Sequence, residues 1–196
     1  MKILLAVASY LLGSVPTGYL LVRLFFKGDV RDMGSGNTGA TNVLRVKGWK
    51  TALPVALFDV LKGFLPVFLA SRWFGDPAFA ALCGLLAVVG HCFPFAIGFR
   101  GGKGMATSFG AFAAIAWAPA LACLGLFIVI IALTRFVSLG SILAVLAFPA
   151  VFLIGRGHAA VAAVSFAVGV LVVVRHRANI GRLVRGAERR FGERAS

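Results

Sequence analysis

Long apolar runs separated by short polar joints dominate the chain. They cover about 3–24, 52–73, 78–97, 107–134, 138–155 and 158–174. A run of roughly 20 apolar residues matches the length an α-helix needs to cross the hydrocarbon core of a bilayer. The pattern predicts an all-α polytopic membrane protein forming a single domain, residues 1–196. The run 107–134 is too long for one crossing and is interrupted by Trp117, Ala118 and Pro119, an interfacial aromatic followed by a helix breaker. It reads as a tight helical hairpin, 107–117 and 119–134. The first arm is short and needs neighbours or local thinning of the bilayer to reach across. The count becomes seven transmembrane helices, some of them short.

Charge orients these spans. With seven crossings and the N-terminus outside, 16 of the 20 Lys and Arg residues fall on the inner face, including seven arginines from Arg175 onward. Lys2, Arg72 and Arg156 fall outside, and Lys62 lies in a span. A single crossing by 107–134 sends the C-terminal cluster outside, against the positive-inside tendency. The C-terminus is therefore expected to be cytoplasmic. The N-terminal run continues well past the length of a signal peptide and is followed by Arg23 and Lys27, which fits a retained first helix. The tail 182–196 places Leu183, Val184 and Phe191 among arginines, so it lies on headgroups or is a solvated end.

Composition agrees with the membrane reading. The chain is 60% hydrophobic and 13% charged, against about 25% charged in soluble domains. The net charge of +14 serves anionic headgroups better than nucleic acid, and no nucleic-acid partner is expected. Cys83, Cys92 and Cys123 lie within or beside apolar segments and show no metal-ligand spacing. Free thiols and no metal site are expected.

Four polar segments interrupt this background, and the topology puts all of them on the inner face. GSGNTGATN at 34–42 is followed by Arg45, and GFRGGKGMAT spans 98–107. VSLGS spans 137–141 and RHRAN spans 175–179. They supply hydroxyls, amides, glycine-exposed backbone N–H groups, fixed cations and an imidazole, with almost no carboxylate. Such donors suit an oxyanion, phosphate above all. Candidate contacts are Ser35, Gly36, Asn37, Gly39, Thr41, Asn42 and Arg45 in the first segment. Gly101, Gly102, Lys103, Gly104 and Thr107 belong to the second, Ser138 and Ser141 to the third, His176 and Asn179 to the last. GGKG does not match the ATP-binding P-loop, because Ile97 replaces its first glycine and Gly104 follows the lysine.

Each segment also has a plainer reading. Gly, Ser and Asn turn chains and cap helices. Lys103 alone is a positive-inside marker, His176 suits a helix C-terminus, and Ser138 and Ser141 can bond back to helix carbonyls. Their co-occurrence on one face favours a site. Asp59 and Lys62, at i and i+3 inside a span, form an intramembrane ion pair, or Asp59 holds Lys62 or an active-site arginine in position. His91, near the inner end of the third span, is read as a supporting hydrogen-bond partner, and His158 as incidental.

SGNTGATN with Arg45, GHCFP before FRGGKGMAT, VSLGS, and RHRANIGRL with Gly186 and Glu188 resemble the motifs of the acyl-phosphate-dependent glycerol-3-phosphate acyltransferases of PlsY type. The resemblance covers nearly the whole chain. Arg100 stands where relatives often carry Lys, and Met105 where Val is usual. It implies a seven-helix bacterial inner-membrane enzyme with a cytoplasmic active site and no cofactor. The implied reaction transfers an acyl group from acyl phosphate to the 1-hydroxyl of glycerol 3-phosphate, giving lysophosphatidic acid and phosphate, an early step of phospholipid synthesis. Contact with the enzyme that makes the acyl phosphate is a further expectation.

The resemblance also assigns roles. Ser35 and Arg45 are essential, the Lys103 loop binds glycerol 3-phosphate, His176 and Asn179 support activity, and Glu188 maintains structural integrity. Two proton acceptors remain open, His176 or a phosphate oxygen of the donor, the latter preferred because no carboxylate orients the imidazole. The rival from another class is a membrane transporter or channel for an organic phosphate. It needs polar residues continuing to the outer face, where the loops offer only Arg72, Asp76, Arg156 and His158.

Overall fold

The computed structural model describes residues 1–155 and 157–193. Arg156 and Arg194, used above to weigh the two faces, lie outside the described residues, as do the last two positions of the tail. The helices are α1 (Lys2–Gly13), α2 (Thr17–Phe26), α3 (Ala40–Lys47), α4 (Trp49–Phe74), α5 (Pro77–Cys92), α6 (Met105–Ile115), α7 (Trp117–Thr134), α8 (Val137–Ile154), α9 (Ala159–Arg175) and α10 (Arg177–Val184). Four spans, α4, α5 extended through a 3-10 turn to Ile97, α7 and α8, are long and apolar enough to cross a membrane. The bent pairs α1–α2 and α9–α10 raise the count to as many as six.

The expected continuous first span is broken. α1 and α2 meet at 41° because Pro16 lacks an N–H and its ring collides with the preceding turn. Inside a bilayer the freed backbone groups need new partners. Ser14 Oγ donates to the Tyr10 carbonyl at 2.8 Å, and Lys62 Nζ reaches the Val15 carbonyl at 2.9 Å.

The long run 107–134 does divide in two, but at Ala116. Pro119 sits in the first turn of α7, where a missing N–H costs little. α6 has 11 residues and packs closely against α4. Gly63 and Gly110 permit this approach: an added Cβ lies 2.0 Å from the Thr107 carbonyl oxygen at Gly63, and 2.0 Å from that of Val60 at Gly110. Small residues at a helix crossing let backbones touch where hydrophobic driving force between helices is weak. Beside them, Phe112 and Phe148 stack at 3.8 Å between ring centroids, within a cluster that joins α5 to α9.

Two connections have more structure than their composition suggests. The stretch after α2 contains a 3-10 turn, Val30–Asp32, and the short helix α3. Arg31 pairs with Asp29 at 2.6 Å and donates to the Ile97 carbonyl at 3.1 Å, tying this connection to the loop before α6. The tail neither lies free nor spreads outward over residues 185–193. Phe191 N donates to the Arg135 carbonyl at 2.6 Å, and Arg135 Nη2 returns a bond to the Phe191 carbonyl at 2.9 Å. The chain end thereby docks on the joint between α7 and α8.

Candidate active site

The polar segments converge where α3, α8 and α10 begin, beside the 98–104 loop and beneath the docked tail. GSGNTGATN forms a loop leading into the first turn of α3. Asn42 organises it from within. Its Nδ2 donates to the carbonyls of Met33 and Asn37 at 3.0 and 2.9 Å, and its Oδ1 accepts from Ser35 N at 2.8 Å. Asn37 Oδ1 accepts from Gly39 N at 2.9 Å, closing a second turn. These amides build the loop, leaving the exposed Ser35 side chain at its tip.

Two cavities adjoin at this loop. The larger, of about 370 Å³, is bordered at its polar end by Ser35, Asn37, Gly39, Thr41, Asn42, Arg45, Lys103, Gly104, Ser138, Ser141, His176, Asn179 and Glu188. Asp59 and His91 complete the wall on the bundle side. Past Phe109 the lining turns apolar, with Phe112 from α6, Ala120, Cys123, Leu124 and Phe127 from α7, and Ala144 and Val145 from α8. The smaller cavity, about 290 Å³, shares Ser35, Asn37, Lys103 and Asn179 and adds Gly36, Phe99, Arg100, Gly101, Arg175, Arg177, Ala178 and Arg182. Every ionisable group around it is basic.

Hydrogen bonds fix the shared wall. Lys103 Nζ donates to Asn179 Oδ1 at 2.6 Å, and Asn179 Nδ2 donates to Glu188 Oε1 at 2.6 Å. Ser138 Oγ donates to the same carboxylate oxygen at 2.8 Å, and Arg182 Nε to Oε2 at 2.7 Å. Ser141 bonds back to the Val137 carbonyl at 2.9 Å, whereas Ser138 points across to the tail. His176 Nδ1 lies 2.8 Å from the Val172 carbonyl. A carbonyl only accepts, so that nitrogen carries the proton and a neutral ring keeps a lone pair on Nε2. Burial pulls the Lys103 ammonium down to about 8, with Arg182, Arg45 and Arg175 adding to the effect against the opposing pull of Glu188.

Not every sequence candidate faces the cavities. Thr107 is fully buried and its carbonyl packs on Gly63. Gly102 lies behind the loop against His91. Lys62 pairs with Asp59 at 2.7 Å inside the bundle. Conversely, Arg175, Arg177 and Arg182 border the basic cavity, although the first two were read only as part of a cationic donor segment and Arg182 only as part of the basic tail. Their position in RHRAN, and one helical turn beyond it, was the available signal. The apolar slot had no signal, since its residues look like any other span.

The family model described as glycerol-3-phosphate acyltransferase matches residues 3–186. A protein of that name from Synechococcus sp. (strain CC9902) is 47% identical over 193 residues, covering 98% of this chain and 96% of the relative. Another from Brucella anthropi is 45% identical over 186 residues, covering 95% and 91%. Among solved structures, PlsY (YgiH), an integral membrane glycerol 3-phosphate acyltransferase, superposes in its glycerol 3-phosphate form with a TM-score of 0.94 at 38% identity. That match covers 97% of this chain and 96% of the other. Its lysophosphatidic acid form gives a TM-score of 0.91, again at 38% identity, with coverage of 97% and 95%. The family model, these relatives and the solved structures match almost the whole chain, which belongs to the glycerol-3-phosphate acyltransferase family of PlsY type and is an all-helical integral membrane protein.

Proposed function

We propose that the protein transfers an acyl group from acyl phosphate to the 1-hydroxyl of glycerol 3-phosphate, releasing lysophosphatidic acid and phosphate. The observation that carries this reading is one cavity of two chemistries, cationic and donor-rich at one end and apolar at the other. An acyl phosphate has that polarity along its own length. The adjoining basic cavity then takes the phosphate of glycerol 3-phosphate, with Lys103 and Asn179 on the wall between them. The names of the relatives and the two forms of the PlsY structure support the assignment. An organic phosphate crossing to the outer face would meet only apolar lining at the far end of this cavity, so the transporter reading is disfavoured.

In the reaction the 1-hydroxyl oxygen attacks the acyl carbonyl carbon, the carbon–oxygen bond to phosphate breaks, and phosphate departs with the electron pair. Ser35, Arg45 and Lys103 hold the two anions and offset charge growing on the transferred group. The hydroxyl proton passes to an oxygen of the donor phosphate, so the released phosphate carries it away. His176 and Asn179 hold the reactants in line, His176 through its free Nε2 region and Asn179 through the Lys103 contact. An acyl phosphate is already activated, so this chemistry asks for neither metal nor nucleotide.

The proposal extends to placement. The helices α4, α5 with its 3-10 turn, α7 and α8, the two bent pairs and the short α6 make seven crossings, with the N-terminus outside. The site then faces the cytoplasm of a bacterial inner membrane, where a soluble enzyme that makes acyl phosphate can reach it. Purified protein given acyl phosphate and labelled glycerol 3-phosphate should form labelled lysophosphatidic acid. In His176→Gln, turnover retained with weakened affinity supports proton transfer to the phosphate. Loss of turnover at unchanged affinity would instead make His176 the base.

A further inference from the structure

Behind the Lys103 loop lies a polar cluster inside the bundle. Asp59 Oδ1 sits 2.7 Å from Lys62 Nζ and accepts from Thr17 Oγ1 at 3.1 Å. His91 Nδ1 faces the same oxygen at 3.6 Å, beyond hydrogen-bond length, and has no partner among the described residues. Asp59 and His91 are 1% and 7% exposed. An ion pair that satisfies the Val15 carbonyl explains Asp59 and Lys62 as structure alone. It does not explain why a buried imidazole stands beside that pair on the cavity wall, with its ring against the Lys103 loop.

The imidazole has a second neighbour. A Cβ added to Gly102 falls 1.9 Å from His91 Nε2 and 2.7 Å from its Cε1. The ring therefore fills the space a side chain at 102 would need. The backbones are also joined, Gly102 N to the His91 carbonyl at 3.1 Å and Gly101 N to that of Cys92 at 3.2 Å. From the other side, Arg175 donates to the carbonyls of Gly101 and Gly102 at 3.0 and 3.2 Å while stacking on Phe93. Lys103 leaves a segment gripped between His91 and Arg175.

We propose that His91 is a positioning residue for the acyl acceptor. Its ring is the floor that sets the height of Gly102 and so aims the Lys103 ammonium at the glycerol 3-phosphate. This rests on the reading of Lys103 as a phosphate contact.

A double-mutant cycle on the purified full-length protein tests it, with acyl phosphate and glycerol 3-phosphate as substrates and KM, kcat and melting temperature as readouts. His91→Ala removes the floor and Gly102→Ala drives a methyl into it. Each should raise the KM for glycerol 3-phosphate about tenfold, with kcat and the KM for acyl phosphate little changed. In the double variant the methyl enters the vacated space, and the KM should return to within about threefold of wild type. His91→Leu, which fills most of the void but is too short to replace Nε2 beneath Gly102, should raise the same KM while melting near wild type.

Additive effects in the cycle overturn the proposal, as does a fall in kcat at unchanged KM. A wild-type KM in His91→Leu also overturns it, leaving His91 a structural residue. If wild-type protein itself makes no lysophosphatidic acid, the functional reading fails instead, and the two failures are distinct.

Discussion

As the proposed phosphate contact, Lys103 combines burial with a job that needs charge. Its ammonium is held at about 8, so in the empty site the cation is lost as pH rises through that value. Phosphate recognition requires the cation, and the KM for glycerol 3-phosphate should therefore climb on the alkaline side of about pH 8. Lys103→Arg, whose guanidinium stays charged, should move this limb to higher pH. A KM that stays flat from about pH 7 to 9.5 in the wild type contradicts the phosphate contact. Ser35 is the companion test. A hydroxyl donating to a charged oxygen contributes about 1.5–3 kcal/mol, so Ser35→Ala should lose about 10–100-fold in kcat/KM. A loss below about threefold would return Ser35 to a turn-forming role.

At the scale of elements, the tail is the part least expected from its arginine-rich composition. Glu188 gathers Asn179, Ser138 and Arg182, thereby fastening α10, α8 and the chain end together. Burial tends to raise its carboxyl, but these three donors outweigh that and hold it below the usual range. A lowered folded-state value stabilises above the unfolded carboxyl pKa of about 4.3 and is lost as pH falls through the folded value. Glu188→Gln should thus melt earlier than wild type at neutral pH, and the two melting curves should converge in acid. Parallel curves at every pH would remove Glu188 from the fastening. The α4–α6 contact gives an independent check. Gly110→Val places a branched side chain where a Cβ already meets backbone at 2.0 Å. It should cost at least the about 1–3 kcal/mol of overpacked cores, read as lost folded protein in detergent.

What could be read from sequence follows from which interactions are local. Apolar run length marks α4, α5, α7 and α8 because crossing a bilayer is a property of one segment. The Pro16 break escaped notice because the small residues beside it, such as Ser14 and Thr17, do not interrupt the long apolar run, and only Lys62, far along the chain, reveals where the freed carbonyl goes. The four polar segments were visible as composition, but their division of labour was not. Asn42 looks like a ligand donor in sequence and is largely occupied with loop carbonyls in the fold. RHRAN was legible as a cationic donor segment, but nothing local to it told which cavity its arginines border. The acyl slot is invisible in one dimension, since lining residues such as Ala144 differ from lipid-facing neighbours only by where helices pack.

For the whole molecule, the proposed seven crossings make a sharp topological statement. A cysteine introduced at Gly75, in the turn between α4 and α5, should react with a membrane-impermeant thiol reagent added outside intact cells. One at Lys50, at the start of α4, should react only after permeabilisation. The reverse pattern inverts the protein and moves the site to the wrong face. The central claim is chemical, and one measurement reaches it most directly: product formed by the purified protein from acyl phosphate and labelled glycerol 3-phosphate. Labelled lysophosphatidic acid, appearing with equimolar phosphate and without added nucleotide or metal, is the predicted result. No labelled lipid under conditions where both substrates persist would contradict the account.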